Sequence, residues 1–283
     1  MKRKLFSLSG IVGLYTAVIL SIGFLVFFVI SIIVKGSSVI SWEFITTAPR
    51  LGMTEGGIWP ALVGTFWLSF LAVIISVPIG VFSAVYLFSY AKSTKWVSFV
   101  KICVNTLAGV PSIIYGLFGM ALFVNMMGFE VSLLSGALTL AVLALPIVIN
   151  ASFEALSSVS PDFMQAAYAL GATKRQSILR VLIPTAMPNI LTSVILVTGR
   201  VAGETAPIMF TAVAFYNRQL PKSLMDEVMA LPYHIFALMT EGTHSAKQVP
   251  IAYGSALVLL LLVLSISSTA LILRYRLRKK RQW

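Results

Sequence analysis

Long runs of apolar residues without a charge constrain the fold of this chain more than any other feature. The run Ile11–Val34 carries no charged residue, and a helix of that length, at about 1.5 Å per residue, crosses a hydrocarbon layer of about 30 Å. Further runs of this kind follow, and within lipid a helix satisfies all of its own backbone hydrogen bonds. We therefore predict an all-α integral membrane protein with six transmembrane helices. The predicted spans are Ile11–Val34, Ala61–Ser89, Ile102–Met127, Val131–Ser152, Ile190–Ala214 and Ala252–Leu273.

The composition and the placement of charge support this class. Of the 283 residues, 58% are hydrophobic and 11% are charged. A net charge of +12 can indicate a nucleic-acid partner, but most Lys and Arg residues here fall on one side of the predicted topology, which is typical of residues that set membrane orientation. We therefore predict a multi-pass membrane protein with both termini cytoplasmic and no nucleic-acid partner. Its basic tail can also contact membrane lipid.

The sequence lacks the residues that ATP hydrolysis or metal chemistry would need. No Gly-x-x-x-x-Gly-Lys-Ser/Thr phosphate-binding loop occurs, and no set of Ser, His and Asp has a supporting context. One cysteine, Cys103, and two histidines, His234 and His244, are too few to indicate a metal site. We predict a transport subunit that is not an enzyme, has no cofactor, and draws its energy from a partner.

Two further stretches carry structural expectations. Gly116 and Gly119, in the third predicted span, are small residues that let helices approach closely. The connection from Phe215 to Pro250 is predicted to lie outside, and its apolar part, Leu231–Met239, is expected to pack on the bilayer or on a neighbouring element. A binding role for this part is the alternative.

The stretch Glu154–Leu191, between the fourth and fifth predicted spans, is too polar to remain in lipid. Ser160 and Pro161 are typical of a helix N-cap and first residue, Gly171 should separate this helix from a second one, and Pro184 should end the second. A helix–glycine–helix elbow of this length is too short to be a domain. It therefore predicts a cytoplasmic docking element at about residues 154–189.

This stretch resembles the cytoplasmic coupling loop of ABC importer permeases, whose pattern is Glu-Ala-Ala, three residues, Gly, nine residues, then Ile-x-Leu-Pro. Gln165, Ala166 and Ala167 stand in the place of the opening triplet, with Gln165 replacing the usual Glu. Gly171 and Pro184 stand in the places of the glycine and the closing proline. The resemblance implies a type I ABC importer permease-like bundle in which these five residues form the contact with an ATPase subunit. It also implies a location in a bacterial or archaeal plasma membrane.

Two charged residues, Arg200 and Glu204, lie inside the fifth predicted span. Arg200 follows Ile190 by about 15 Å of helix, which predicts a position near the membrane midplane. A charge there must face the bundle interior or a wet cavity, and Glu204 at i+4 can pair with it. Two interpretations stay open, namely an ion pair that holds helices together and a part of the substrate pathway.

Three stretches are similar to the PstA family, the permease subunits of phosphate-specific ABC importers. They are Gly203-Glu204-Thr205-Ala206-Pro207 after an arginine, residues 107–119 and residues 229–235. The resemblance extends over nearly the whole chain and implies a substrate pathway that includes Arg200, Glu204 and Thr205. It also implies a PstC-like second permease subunit, a dimer of PstB-like ATPase subunits and an external PstS-like phosphate-binding protein.

Other functions remain as alternatives. A buried arginine suits any oxyanion, so molybdate, sulfate or phosphonate could replace phosphate. A secondary transporter would need no ATPase and predicts inverted internal repeats, of which none is clear. The expected organisation is an N-terminal span with an outer loop over residues 1–60, a transporter domain over 61–275, and a basic cytoplasmic tail over 276–283.

Overall fold

Apolar runs separated by glycine, proline and short polar stretches give a chain of helices. The computed structural model describes the backbone of residues 2–91 and 95–279, and the side chains of all of these except residues 2–10, 96, 270, 273 and 277–279. Lys92 of a predicted inner loop, and Lys280 and Arg281 of the basic tail, lie outside the described residues.

The described residues form helices α1–α12 and one hairpin of two short strands. The helices are α1 (Lys2–Ser37), α2 (Trp42–Thr46), α3 (Trp59–Val85), α4 (Lys95–Ala108), α5 (Ser112–Gly119), α6 (Leu133–Ser157), α7 (Pro161–Ala169), α8 (Lys174–Ser177), α9 (Ile183–Gly203), α10 (Ala206–Met209), α11 (Leu231–Thr240) and α12 (Ser245–Lys279). Turns of π-helix continue α3 over Tyr86–Tyr90, α5 over Met120–Met126 and α8 over Ile178–Leu182. The strands are β1 (Pro49–Arg50) and β2 (Glu55–Gly56), which pair antiparallel.

Five helical segments among the described residues are long and apolar enough to cross a membrane, and one bent helix pair can supply a sixth span. The five segments are Ile11–Ser37, Trp59–Tyr90, Leu133–Ser157, Lys174–Gly203 and Ser245–Arg276. The all-α membrane class is therefore confirmed. The third and fifth spans differ from the predicted ones.

The third span is two helices, not the single one predicted over Ile102–Met127. The axes of α4 and α5 meet at an angle of 101°. The cause is Pro111, which has no amide hydrogen to donate into a continuing helix and disfavours helical backbone in the residue before it. Across the bend, the Tyr115 hydroxyl donates a hydrogen bond of 2.8 Å to the Leu107 carbonyl oxygen and so ties the two helices together.

The fifth span begins earlier than predicted, and Pro184 does not end the helix before it. Helix α8 continues through its π turn into α9, and Pro184 lies in the first turn of α9. In the π turn, the Ile183 amide donates to the Ile178 carbonyl oxygen, five residues back. This wider turn lets the helix pass a residue that has no amide hydrogen.

The fifth span also ends earlier than its predicted end at Ala214. Helix α9 stops at Gly203, and Glu204 has extended backbone angles. Pro207 explains the break, because its ring would collide with the Gly203 carbonyl oxygen in a continuous helix. The chain turns at Thr205 and begins the short α10.

The core lies where α3 packs along α6, with α9 and α10 beside them. Small residues allow the close approach: a methyl group on Gly80 would overlap Val148, and one on Gly136 would overlap Ala212. In contrast, α1 packs on α12 and none of its most apolar window is buried within the chain. The buried cluster at the centre includes Leu68, Leu133, Leu140, Val148, Val197, Val201 and Ile208.

The connection between α10 and α12 is tied to the bundle by α11. This helix packs against α12 and α3, and the Thr65 hydroxyl in α3 accepts a hydrogen bond of 2.8 Å from the Leu231 amide. The expectation that Leu231–Met239 packs on a neighbouring element is confirmed. The neighbours are helices of the same chain.

Candidate translocation and coupling sites

The end of α9 brings together the three predicted pathway residues, Arg200, Glu204 and Thr205. The Arg200 Nε atom is 3.2 Å from the Glu204 Oε1 atom, so the pair expected from the sequence is formed. The Arg200 side chain is 50% exposed and that of Glu204 is 14% exposed. Arg200 lies in the last turn of its helix, not near the middle of a helix that reaches Ala214.

The break after α9 packs against the second half of the bent span. A methyl group on Gly116 of α5 would lie 2.8 Å from the Ala206 carbonyl oxygen and 3.0 Å from the Pro207 Cα atom. We call this contact, with the Arg200–Glu204 pair beside it, the packed corner. It joins two of the stretches that the sequence analysis singled out separately, and it confirms that Gly116 permits close helix packing.

Three polar side chains near the packed corner were not expected from the sequence, namely Tyr115 of α5 and Thr65 and Ser69 of α3. The Tyr115 phenol, next to Gly116 in the chain, holds the bend between α4 and α5 through its hydrogen bond to the Leu107 carbonyl oxygen. Glu204 borders a small cavity that also meets Thr65 and Ser69 of α3. Tyr115 lies within the stretch 107–119 noted in the sequence, but only the tertiary structure shows its hydrogen bond across the bend.

The coupling elbow, which comprises residues 160–184 with α7, Gly171, α8 and the π turn after it, is built by local signals. Those at Ser160, Pro161 and Gly171 were predicted from the sequence, but the cap of α8 was not. The Ser160 hydroxyl accepts a hydrogen bond from the Asp162 amide at the start of α7. Gly171 has φ of +78°, a left-handed value that glycine adopts without a Cβ clash. Thr173 and Gln176 then form a reciprocal capping box at the start of α8. The prediction of two helices separated at Gly171 is confirmed.

The coupling elbow exposes much of its surface. Gln165, Ala166 and Gly171 are exposed, Ala167 is buried and Pro184 is half-buried. Several large apolar side chains are also exposed here, although a polar loop in water would normally bury them. These are Phe163, Tyr168, Leu170 and Leu179, of which Leu170 is 89% exposed. Their apolar character in a polar stretch was a usable sequence signal for a docking face.

A single helical path connects the two sites. From Lys174 the helix runs without a break to Gly203, so about 40 Å of helix separates the start of α8 from Arg200. A movement of the coupling elbow along this axis would reach the Arg200 end directly.

Comparison with known proteins decides the family. Residues 76–281 match the family described as binding-protein-dependent transport system inner membrane component. This chain belongs to that family. The predicted transport subunit, as opposed to an enzyme, is thereby confirmed, as is its membrane location, and membership implies an external binding protein and an ATPase partner.

Curated relatives match most of the chain. It is 34% identical over 267 residues to the probable ABC transporter permease protein YqgI of Bacillus subtilis (strain 168), covering 90% of each chain. It is 34% identical to the phosphate transport system permease protein PstA 1 of Mycobacterium tuberculosis (strain ATCC 25618 / H37Rv), covering 80% of this chain and 72% of the relative. The probable phosphate transport system permease protein PstA of Methanocaldococcus jannaschii is 34% identical, with 84% and 83% covered.

Solved structures share the fold at low sequence identity. A chain from inward-facing structures of the MetNI methionine ABC transporter aligns with a TM-score of 0.64 at 18% identity, covering 78% of this chain and 97% of that one. A chain of a bacterial ABC transporter involved in the import of the acidic polysaccharide alginate aligns with a TM-score of 0.64 at 15% identity, covering 93% and 95%. The type I importer-like permease bundle is therefore confirmed.

Proposed function

We propose that this chain is a membrane-spanning permease subunit of an ATP-driven importer for inorganic phosphate. It forms half of the translocation pathway and couples to an ATPase subunit. The observation that supports phosphate as the substrate is the name of several relatives. Relatives from bacteria and an archaeon, at 31–36% identity, are named PstA phosphate transport permeases.

Arg200 supplies the group that meets the anion in this proposal. Its guanidinium offers a planar pair of N–H donors to two phosphate oxygens, and its half-exposed side chain is open on one side. The alternative, an ion pair that holds helices together, fits the geometry poorly. Glu204 is only four residues along the same chain segment, so the pair joins no two packed helices.

Glu204 keeps Arg200 from holding phosphate too tightly. An ion pair this exposed contributes about 0.2–1 kcal/mol, which an incoming phosphate with two or more hydrogen bonds can exceed. When the anion leaves, the carboxylate takes its place again. Thr205, at the turn after Glu204, provides a further hydroxyl at the same point of the pathway. Such exchange satisfies the requirement that a conducting site releases its ligand.

The coupling elbow is the proposed contact with the ATPase. Gln165 and Ala166 lie on the exposed face of α7, Ala167 packs beneath it, and Gly171 turns the chain toward α8. Pro184 lies on the continuous helix that leads to Arg200. The exposed Phe163 and Leu170 give an ATPase surface apolar area to cover.

The complex that follows has four kinds of chain. We propose a PstC-like second permease subunit, a dimer of PstB-like ATPase subunits, and a PstS-like binding protein outside. Both termini and the coupling elbow lie in the cytoplasm, residues 61–275 form the transporter domain, residues 1–60 add a span and an outer loop, and residues 276–283 form the basic tail.

Phosphate uptake by the whole complex in proteoliposomes tests the substrate. Uptake of labelled phosphate should depend on ATP and on the binding protein, and a tenfold excess of molybdate, sulfate or phosphonate should not reduce it. Strong competition by one of these anions would assign the pathway to that oxyanion instead.

Arg200 variants test the pathway. Arg200→Gln should abolish uptake while leaving assembly intact, and Arg200→Lys should keep part of it, since the charge remains but the planar pair of donors is lost. A double variant, Arg200→Gln with Glu204→Gln, should remain inactive. Recovery of uptake in the double variant would assign the pair a structural role.

The side of the membrane is tested with Thr173→Cys in the coupling elbow. An impermeant thiol reagent should label this variant in inside-out vesicles and leave it unlabelled in intact cells, because the elbow carries inner-side charge. The native Cys103 should be replaced by serine in the same background. Labelling in intact cells would invert the topology.

A further inference from the structure

A groove lies between α3 and α4 at the end of the bundle that carries the coupling elbow. The two helices both pack on α6 and leave between them a cavity of about 820 Å³. Its lining is mostly apolar. On one side lie Phe82, Ser83, Tyr86, Leu87, Tyr90 and Ala91, on the other Val97, Val100 and Val104, and Ile149 of α6 closes the floor.

The groove runs along α4, and we call its end at Tyr90 and Val97, nearest the coupling elbow, the shallow end. Val97, Val100 and Val104 recur on one face of α4 and span about 10 Å of helix, and Phe82 to Tyr90 span a similar length on the opposite wall. Tyr86 and Tyr90 are 61% and 46% exposed at its shallow end. Exposed tyrosines on membrane-spanning helices are typical of the boundary between hydrocarbon and headgroups.

Positive charge surrounds the shallow end. The Lys174 Nζ atom is 4.7 Å from the centre of the Tyr90 ring, and the Lys101 Nζ atom is 4.0 Å from the centre of the Phe153 ring on α6. Lys95 is exposed at the start of α4, two residues before Val97. Among the described residues, none of these three lysines is in an ion pair with a carboxylate.

We propose that this groove binds one anionic phospholipid of the inner leaflet, with an acyl chain between α3 and α4 and the headgroup phosphate at Lys95, Lys101 and Lys174. An apolar slot flanked by lysines that have no carboxylate partner among the described residues matches both parts of such a molecule. The lipid would hold α4 apart from α3 and so support the bent span whose second half reaches the packed corner.

The proposal rests on the proposed topology only for the choice of leaflet. The test uses the whole complex in nanodiscs of phosphatidylglycerol and phosphatidylcholine in equal amounts, where both leaflets have the same composition. After extraction in a mild detergent, native mass spectrometry counts the lipids that remain on the permease subunit. An inverted topology would change the Thr173→Cys labelling and leave this count unchanged.

The parental complex should retain phosphatidylglycerol over phosphatidylcholine by about five-fold or more, because each lysine near a headgroup contributes roughly that factor. The triple variant Lys95→Gln, Lys101→Gln and Lys174→Gln should bring the ratio close to one. Val104→Trp, which fills the groove, should remove both lipids. Lys35→Gln on the outer side and Leu261→Trp on an exposed face of α12 are matched controls that should retain the lipid, as should Arg200→Gln.

Three results would overturn the proposal. Equal retention of the two lipids by the parental complex would show an apolar slot without headgroup selection. An unchanged ratio in both the lysine and the tryptophan variants would place the retained lipid elsewhere. Loss of the second permease subunit from the Val104→Trp complex, with Leu261→Trp intact, would identify the groove as a subunit interface.

Discussion

The packed corner and the coupling elbow both depend on a glycine, but for opposite reasons. At the packed corner, Gly116 has ordinary helical backbone, and a methyl group there would meet backbone atoms of Ala206 and Pro207 within 3.0 Å. At the coupling elbow, Gly171 has a left-handed backbone, and a methyl group there would meet nothing within 4 Å. One glycine is required by its neighbours and the other by its own dihedral angle.

This difference distinguishes a region whose packing contacts lie within the chain from a region that leaves an apolar surface exposed for a partner. Around the packed corner, helices α3, α6 and α9 bury their contacts within the chain. The coupling elbow instead keeps its turn by local caps and exposes apolar side chains such as Leu170. Substitution of Gly116 at the packed corner should therefore affect folding, and substitutions at the coupling elbow should affect coupling.

The largest effect is expected from Gly116→Ala. The added carbon would be pressed against backbone atoms that cannot rotate away, and overpacking of this kind costs about 3 kcal/mol at the upper end of its usual range. The matched control is Gly203→Ala, whose added carbon meets nothing within 4 Å. Thermal unfolding of the purified complex should show a much lower midpoint for Gly116→Ala only. Equal midpoints would mean that the corner is not tightly packed.

The next largest effect is a pH dependence of stability that comes from His234. This residue lies on α11, which packs against α12 and α3 but is not one of the membrane-spanning helices. His234 is fully buried, neither ring nitrogen has a hydrogen-bond partner among the described residues, and burial lowers its pKa to about 4. In the unfolded chain this imidazole has its ordinary pKa of about 6.5. Between pH 6.5 and the folded-state pKa of about 4, the imidazole is protonated in the unfolded chain and neutral in the folded one, so the free energy of unfolding falls as the pH falls.

The expected loss is about 2 kcal/mol between pH 7 and pH 5, and none of this loss should appear above pH 7. His234→Phe should remove this part of the pH dependence, whereas His244→Phe, at the exposed start of α12, serves as the control. Unfolding of the two variants across this pH range is the measurement. Equal slopes for both variants would contradict the assignment to His234.

Gly171→Val should have a smaller effect on stability and a large one on coupling. A β-branched residue at φ of +78° costs about 1–2 kcal/mol, confined to the coupling elbow. The complex should insert and bind phosphate at its external protein as before, but stimulation of the ATPase by that protein should be lost. Gly171→Asn, which tolerates this conformation better, should retain more stimulation. Full stimulation in the valine variant would separate the elbow from ATPase docking.

The smallest effect is expected from Thr173→Ala, which removes one side of the capping box with Gln176. Loss of such a cap costs about 1 kcal/mol of helix stability. Uptake should fall partially, with the thermal midpoint almost unchanged, while Thr185→Ala on the following helix should leave both unchanged. A fall in the midpoint as large as that of Gly116→Ala would mean that the elbow is part of the folding core.

The sequence by itself determined the features that depend on local chemistry. Uninterrupted apolar runs fixed the membrane class, since only helices satisfy their backbone within lipid. Ser160, Pro161 and Gly171 predicted the coupling elbow, because a cap, a first-turn proline and a left-handed glycine act on their own backbone. The pairing of Arg200 with Glu204 followed from their spacing alone.

Only the tertiary structure decided how these parts meet. Pro111 bends the third span, whereas the helix continues past Pro184 through a π turn. The difference depends on the hydrogen bonds and packing around each proline, which the residue type alone does not predict. The approach of Gly116 to Ala206 and Pro207 joins stretches about 90 residues apart in the chain. Such contacts depend on the angles between helices, which are set by the packing of all of them at once.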